Sequence, residues 1–199
     1  MQKSRILFAG VGGQGTLTAT NLLALLAVDL DMPVVTGEIH GMAQRGGIVE
    51  SSLLLGGYSS PKLSYGEADI LLGFEPLETL RALPYVNSQG TVISNTDPHI
   101  PVGASLGKET YPDLEYIQER STACTPNSYF LPCVNLGEQA GKAQSANVVL
   151  LGGLCATDKS PFSLQDLQNA INKHLSSKIA GINMKASELG FNYLSPSQG

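Results

Sequence analysis

A glycine-rich stretch near the N-terminus constrains the fold of this chain more than any other feature. It reads Gly-Val-Gly-Gly-Gln-Gly at residues 10–15, between an apolar run at 6–9 and a long helix-forming run. Gly10, Gly12 and Gly15 match the pattern G-x-G-x-x-G, in which one glycine makes a turn, one lets backbone approach a ligand, and one lets a helix pack closely on its strand. The stretch therefore predicts a strand, a tight turn and a helix.

The predicted turn also indicates an anion site. Unpaired N–H groups at the start of a helix point toward one small space, where the positive end of the helix dipole adds to their potential. Thr16 contributes a hydroxyl group there. A phosphate or a carboxylate would fit this space. The alternative interpretation is that the glycines serve the strand-to-helix turn alone.

The composition is typical of a globular chain that forms a core. Apolar residues make up 42% of the 199 residues and charged residues 15%. The length suits one substantial domain, so we expect residues 1–199 to form a single domain. The net charge of −5, with twelve scattered Lys and Arg residues, leaves no basic surface for nucleic acid.

We expect neither a membrane span nor a secretory signal, and therefore a cytoplasmic protein. The longest apolar helical run, residues 17–30, is too short and too polar to cross a bilayer. Glycine interrupts the first apolar run too early for a signal peptide. Cys124, Cys133 and Cys155 lack C-x-x-C spacing, so we predict neither a disulfide framework nor iron–sulfur or zinc ligation.

The residues after the glycine stretch predict an α/β fold. We expect residues 16–31 to form a helix with apolar side chains on nearly every face, as in a helix between a sheet and a second surface, which could be a partner's. Residues 33–37 are expected to form a second strand, which gives a βαβ unit with a parallel, right-handed crossover. Glu38 follows this strand, where dinucleotide-binding folds often place the acid that binds a ribose hydroxyl. Residues 39–47, however, form a glycine-punctuated loop instead of the expected helix.

The rest of the chain alternates between predicted strands and helices. Residues 48–55 are expected to form a strand and 58–65 a polar connection, with an inserted hairpin in this region. The other predicted strands cover residues 68–74, 90–95 and 129–133. The other predicted helices cover residues 77–83, 113–122, 146–156 (tightly packed), 163–175 (with a capping box at its start) and 182–189.

Polar residues follow several predicted strands on what should be one edge of the sheet. Ligands of open α/β sheets bind beyond the carboxyl ends of the strands. We therefore expect one crevice to gather residues 10–16, residues 38–47, Glu75 and Asn95.

No set of residues has the chemistry of a self-sufficient enzyme. His40, His99 and His174 are isolated, without the H-x-x-x-H spacing of zinc ligands. The sequence has no G-x-S-x-G elbow, and Gln-Gly-Thr at residues 14–16 stands where a P-loop has Gly-Lys-Ser/Thr. We predict no catalytic residue and no metal ligand in this chain.

The loop at residues 40–47 is the richest polar cluster without an evident structural role. Glycines at 41, 46 and 47 give its backbone freedom, while His40, Gln44 and Arg45 offer hydrogen-bonding groups. Such loops often contact a ligand or a partner. The alternative is that Arg45 pairs with Glu38 or Glu50 and only stiffens the loop.

Together, these two loops resemble those of a known family. Gly-Val-Gly-Gly-Gln-Gly at 10–15 and Glu-Ile-His-Gly-Met-Ala-Gln-Arg-Gly-Gly at 38–47 resemble the gamma-type subunit of 2-oxoacid:ferredoxin oxidoreductases, and the second loop is most similar to its form in the small subunits of the indolepyruvate branch. Further matches cover residues 66–78, 90–96, 147–153 and 183–186. The resemblance spans nearly the whole chain.

The resemblance implies a Rossmann-like, three-layer α/β/α domain with a mostly parallel sheet. It implies a multi-subunit enzyme that oxidatively decarboxylates a 2-oxoacid, with coenzyme A as co-substrate. Thiamine diphosphate, magnesium and iron–sulfur clusters would lie on larger partner subunits, and ferredoxin would be reached through the complex. This chain alone would bind no cofactor tightly.

The same resemblance extends to individual positions. The family's first loop matches Gly10, Gly12, Gly13, Gln14 and Gly15, and its second loop matches residues 40–47. The candidate ligand-binding residues are therefore Gly10, Gly12, Gly13, Gln14, Gly15, Thr16, His40, Gln44, Arg45, Gly46, Gly47 and Asn95. Indolepyruvate is the favoured substrate, with 2-oxoglutarate, pyruvate and branched 2-oxoacids left open. The rival hypothesis is a free-standing nucleotide-binding dehydrogenase or regulator that uses Glu38 on a ribose.

Overall fold

A computed structural model describes residues 3–40, 47–99 and 111–195 of the chain, with the backbone alone for His40. The strands in this part are β1 (Ser4–Val11), β2 (Val34–His40), β3 (Ile48–Leu55), β4 (Ala68–Gly73), β5 (Val86–Asn95) and β6 (Ser128–Leu131). The helices are α1 (Thr16–Asp29), α2 (Pro76–Ala82), α3 (Leu114–Cys124), α4 (Cys133–Ala140), α5 (Ala146–Cys155), α6 (Leu164–His174) and α7 (Ser177–Leu194).

The six strands form one mixed sheet in the order β2-β3-β1-β4-β5-β6. β1, β4, β5 and β6 pair in parallel, whereas β3 pairs antiparallel with both β1 and β2. Five strands therefore point the same way and β3 runs against them. The predicted α/β class with a mostly parallel sheet is confirmed.

The predicted βαβ unit is wrong in one respect, because β1 and β2 are not neighbours. Leu53 of β3 pairs with Ile6 on one side and with Thr36 on the other. β3 can occupy this position because Leu53, Leu54 and Leu55 are apolar on both faces, as a strand between two others requires. The hairpin expected after residue 48 lies earlier in the chain, where β2 pairs with β3.

Helices cover both faces of the sheet. Ile6 and Phe8 of β1 pack into one apolar cluster, with residues of α1, α4, α5, α6 and α7. Leu7 and Ala9 of the same strand pack into a second cluster with Ala82 at the end of α2. Because side chains alternate along a strand, these clusters lie on opposite faces, which gives the predicted three layers.

The outer face of α1 is apolar and exposed. Leu25 and Val28 are 43% and 57% exposed, although the inner face of the helix is buried. The prediction that a second surface covers this helix stays open.

Most predicted elements have the predicted type, and their boundaries differ by a few residues. The capping box is present, since the side chain of Ser163 accepts from the N–H of Asp166 and the Asp166 carboxylate accepts from the N–H of Ser163. The last helix is longer than predicted, from Ser177 to Leu194. Helix α4 was not expected from the sequence, which predicted a strand through residue 133. The reason is that the first N–H groups of α4 are bound by Asn95 and Asp97, more than 30 residues earlier.

Candidate functional site

A cavity of about 800 Å³ lies beyond the carboxyl ends of β1, β4 and β5. The glycine loop and the first turns of α1 form part of its wall, and the residues after β5 form another part. The starts of α4 and α5 and the first half of α7 complete it. Its wall combines apolar side chains, such as Leu22 and Ile182, with polar groups. The position is the one at which open α/β sheets bind ligands.

The glycine loop forms the tight turn that its sequence predicts. Gly13 and Gly15 have φ values of +102° and +78°. Residues that carry a side chain rarely adopt such a backbone conformation. The Gln14 side chain accepts a hydrogen bond from the backbone N–H of Val11 at 3.0 Å, so it closes the turn on itself. Gly13, Gln14 and Gly15 line the cavity.

The loop is also connected to the second loop of the sequence analysis. The backbone N–H of Gly12 donates to the carbonyl of Gly47 at 2.9 Å. Gly47 is the last residue of the predicted loop, and β3 begins directly after it. The end of the second loop therefore lies against the first, as the sequence predicts.

The N-terminus of α1 borders the cavity without a side-chain cap. Gly15 is its N-cap residue and no side chain caps the helix. Asn147, at the start of α5, donates from its side-chain amide to the Gly15 carbonyl at 3.3 Å, so it ties the two helix starts together. The Thr16 hydroxyl is buried and has no hydrogen-bond partner among the described residues. It lies under the loop, near Gly10, and does not line the cavity.

Asn95 lies on the cavity wall, but its side chain is already fully hydrogen-bonded. Its amide N–H₂ donates to the carbonyls of Phe74 and Asp97 at 3.1 and 3.3 Å. Its oxygen accepts from the N–H groups of Asp97 and Cys133 at 3.1 and 3.0 Å. An asparagine can make about four hydrogen bonds, so Asn95 holds β4, β5 and α4 together.

Asp97, His99 and Lys142 are the acidic and basic side chains that line the cavity within the described residues. Asp97 accepts from the backbone N–H of Val134 at 2.8 Å, so it caps α4. Burial raises the pKa of the Cys133 thiol, which also lies on the wall, well above its usual range. A thiol in this state is a poor nucleophile and a poor metal ligand.

The remaining predicted residues lie at different distances from the cavity. Glu75 is buried behind the wall, with 1% of its surface exposed. Glu38 lies inside β2 instead of after it, at the edge of the sheet and two strands from Phe8 of β1. A dinucleotide fold needs this acid on the strand next to β1, so the topology disfavours the rival hypothesis. His40 ends β2, and Gln44, Arg45 and Gly46 lie outside the described residues.

Several polar residues of the site were not expected from the sequence, among them Asn147 and Lys142. Both line the cavity, and neither belongs to a pattern that indicates a ligand. Asn147 opens the segment 147–153 that carries the family resemblance, which was the available signal. Among the described residues, no group of three His, Cys, Asp or Glu side chains could hold a metal ion. In the same part of the chain, every helix is too short or too polar to pass through a bilayer.

Comparison with known proteins agrees with this architecture. The family model of pyruvate ferredoxin/flavodoxin oxidoreductase matches residues 5–193. The indolepyruvate oxidoreductase subunit IorB of Pyrococcus horikoshii is 39% identical over 96% of this chain and 95% of its own length. The IorB subunit of Archaeoglobus fulgidus is 37% identical over 94% and 93%.

Solved structures show the same fold at lower sequence identity. The gamma subunit of a keto/oxoacid ferredoxin oxidoreductase from Geobacter sulfurreducens has a TM-score of 0.69 at 21% identity, covering 96% of this chain and 98% of that one. A 2-oxoglutarate:ferredoxin oxidoreductase from Magnetococcus marinus, solved with 2-oxoglutarate, coenzyme A and succinyl-CoA bound, has a TM-score of 0.70 at 18% identity. The match covers 98% of this chain and 31% of the Magnetococcus chain. The family model and the full-length relatives together show that this chain belongs to the pyruvate ferredoxin/flavodoxin oxidoreductase family.

Proposed function

We propose that this chain is the small subunit of an indolepyruvate:ferredoxin oxidoreductase, which oxidatively decarboxylates an aryl 2-oxoacid with coenzyme A as co-substrate. The observation that carries this proposal is the full-length similarity, at 37% and 39% identity, to two subunits named for indolepyruvate. Pyruvate, 2-oxoglutarate and branched 2-oxoacids are the alternative substrates. The chain would act in a complex and not alone.

The described residues do not fit an iron–sulfur cluster or a metal-bound thiamine diphosphate. Three cysteines at separate places cannot supply the four thiolates of a cluster. Burial raises the pKa of the Cys155 thiol to about 12, so this thiol is also a poor ligand. We therefore assign thiamine diphosphate, magnesium and the clusters to a larger partner subunit, which would also pass electrons to ferredoxin.

The cavity fits an anionic, extended ligand such as coenzyme A. The uncapped start of α1 supplies backbone N–H groups for a phosphate, and Lys142 adds a positive charge on another part of the wall. Apolar side chains on the same wall, including Leu22 and Ile182, suit an uncharged chain. Coenzyme A is bound in the Magnetococcus enzyme, of whose chain 31% shares this fold. We propose that the glycine loop, together with residues 40–47, holds coenzyme A at the junction with the partner.

In this proposal the chain binds and positions the co-substrate, and it supplies no reacting group. The rigid loop would fix one end of coenzyme A, because Gln14 and Gly12 already restrain its backbone. A prepositioned phosphate site lowers the entropy lost on binding. The decarboxylation itself would take place on the partner's thiamine diphosphate.

Coexpression with the larger subunit tests the proposal. The purified complex should reduce ferredoxin or a viologen dye with indolepyruvate, in a reaction that requires coenzyme A, whereas this chain alone should be inactive. Higher kcat/KM for pyruvate, 2-oxoglutarate or a branched 2-oxoacid would overturn the substrate assignment. Turnover by the isolated chain, or tight binding of NAD, NADP or FAD to it, would overturn the subunit assignment and favour the rival hypothesis.

A further inference from the structure

Glu75 is a buried carboxyl group whose hydrogen bonds extend beyond its own helix. It follows β4 and is the N-cap residue of α2, where Oε2 accepts from the N–H of Glu78 at 3.0 Å. The other oxygen, Oε1, accepts from the backbone N–H of His99 at 3.1 Å and from the hydroxyl group of Tyr111. One oxygen therefore serves the helix and the other serves residues far along the chain.

His99 and Tyr111 flank a segment, residues 100–110, that lies outside the described part of the chain. Both bind the same oxygen of Glu75, so this one atom fixes the described residues on each side. His99 also lines the cavity, next to Pro98 and Asp97. Glu75 thus connects the end of β4 to a part of the cavity wall that it does not itself form.

Asn95 restrains the same part of the wall from the other side. It bonds both the N–H and the carbonyl of Asp97, and Asp97 in turn caps α4. Residues 97 and 99 are therefore each held by a buried polar side chain, one from β5 and one from the end of β4. Such supporting hydrogen bonds set the precision of a binding site.

Helix capping alone does not explain Glu75. A cap needs one oxygen, and Ser163 caps α6 with a single hydroxyl from an exposed position. Glu75 is instead buried close to the carboxyl group of Glu78, whose pKa is raised by burial and also by the charges of Glu75 and Glu50. The guanidinium group of Arg81 forms an ion pair with the carboxylate of Glu78, with 2.6 Å between nitrogen and oxygen, but it forms no such pair with Glu75. The second oxygen of Glu75 is thus committed to His99 and Tyr111.

We propose that Glu75 is a positioning residue of the ligand cavity, which acts through the backbone of His99 and the hydroxyl group of Tyr111 to hold residues 97–99 in the wall. Where the ligand is coenzyme A, this inference rests on the proposed function. Glu75 touches no ligand itself. Loss of its second oxygen loosens the wall and weakens ligand binding, while the chemical step on the partner subunit is unchanged.

Amide exchange tests the structural half of the proposal on the chain itself. The sequence has three histidines, so selective ¹⁵N-histidine labelling gives three backbone signals, and substitution of each histidine assigns them. We expect the His99 amide to exchange with deuterium at least about tenfold faster in Glu75→Gln than in wild type. Glu78→Gln is the matched control, because Glu78 lies in the same cluster without a bond to His99. Equal His99 exchange in wild type and Glu75→Gln would overturn the proposal.

Kinetics of the complex test the functional half. Tyr111→Phe removes one hydroxyl group and keeps the ring, so we expect it to fold. It is the second variant, in case Glu75→Gln does not fold. Both variants should raise the KM for coenzyme A by about threefold or more with kcat within about twofold of wild type, and Glu78→Gln should change neither. A purely structural Glu75 would lower the melting temperature and leave KM unchanged, which would overturn the proposal. A wild-type complex without coenzyme A dependence would instead refute the proposed function, and the His99 exchange would still decide the role of Glu75.

Discussion

At the residue scale, Gly15 illustrates why the first loop needs glycine. Its φ is +78°, and a Cβ atom there would lie 2.6 Å from the side-chain nitrogen of Asn147. Gly13 has an equally unusual φ of +102°, but a Cβ there would meet no atom within 4 Å. A substitution at Gly13 therefore introduces backbone strain alone. A substitution at Gly15 introduces the same strain and also a clash with Asn147, where the starts of α1 and α5 approach each other.

We predict that Gly15→Ala destabilises the chain more than Gly13→Ala. Each substitution costs about 1–2 kcal/mol of left-handed backbone strain, and Gly15→Ala also displaces Asn147. The melting temperatures of the two variants, measured by calorimetry, check the difference. Equal melting temperatures would mean that Asn147 moves aside without cost, and that it does not fix the loop.

Also at the residue scale, Asn95 lies on the cavity wall, and the prediction that it binds a ligand stays a prediction. A polar residue at the end of a strand indicates a position near the ligand, since that edge of the sheet binds ligands. Whether its side chain faces a ligand or the protein depends on the neighbours, and here Phe74, Asp97 and Cys133 take all four hydrogen bonds. Those neighbours are up to 38 residues away, so no local pattern reveals them.

At the element scale, α5 and α7 cross at a very short distance. A Cβ atom at Gly190 would lie 1.9 Å from the Val149 carbonyl oxygen, and one at Gly152 would lie 2.1 Å from that of Ser187. The obstacle in each case is backbone, which cannot rotate away. The glycines of the two helices therefore set how closely they pack.

We predict that Gly190→Ala lowers the free energy of unfolding by about 2–3 kcal/mol or more, because the helices must separate. Gly181→Ala is the matched control on the same helix, since a Cβ there meets no atom within 4 Å. Alanine favours the helix by about 0.5–1 kcal/mol over glycine, so this control should be slightly stabilised. Chemical denaturation of both variants provides the measurement. A Gly190→Ala chain as stable as wild type would contradict the close crossing.

A second connection between elements joins the end of α1 to the end of α6. Asp29 accepts from Lys173 Nζ and contacts His174 Nε2, both at 2.7 Å. These hydrogen bonds, that of Lys173 first, hold the pKa of Asp29 below its usual range. A lowered folded-state pKa stabilises the fold above the unfolded pKa of about 3.9, and this stabilisation is lost as the pH falls through the folded pKa.

We therefore predict that Asp29→Asn lowers the melting temperature at pH 7 and that this deficit disappears at pH values below the folded pKa of Asp29. Asp31→Asn, which removes the same charge two residues later, serves as the control. Melting curves of wild type and both variants between pH 7 and an acidic limit of about 2.5 test this. A deficit that persists at the acidic limit would show that the pair acts through packing and not through charge.

At the scale of the whole molecule, the chain reads as one part of a larger enzyme. The expected family is confirmed by the matched model and by the full-length relatives. Exposed apolar side chains on α1 and the start of β3, including Leu25, Val28 and Ile48, are of the kind that subunit interfaces cover. Gly47, the last residue of the second loop, is bonded to Gly12 of the glycine loop.

Substitution of Arg45 tests the second loop as a contact at the subunit junction. Arg45→Ala should leave the isolated chain folded, while it weakens assembly with the larger subunit or raises the KM for coenzyme A. Arg45→Lys should restore little of the lost assembly or coenzyme A affinity. The reason is that the point charge of lysine cannot replace the planar guanidinium group, which pairs with a phosphate or a carboxylate through two hydrogen bonds. Size-exclusion chromatography of the mixed subunits and coenzyme A titrations measure both effects. Wild-type behaviour of both variants would restrict the loop to a structural role.

The sequence by itself determined the local elements of this protein. The signals that determined them act over a few residues: the spacing of hydrophobic residues, the glycine turn and the Ser163 capping box. They were therefore sufficient to predict most strands and helices, the α/β class and the first loop of the cavity. The tertiary structure alone decided that β3 lies between β1 and β2, that α4 begins at Cys133, and that Asn95 and Glu75 hold the cavity wall. These features depend on hydrogen bonds between distant residues, whose partners are chosen by the packing of the whole sheet and not by neighbours along the chain.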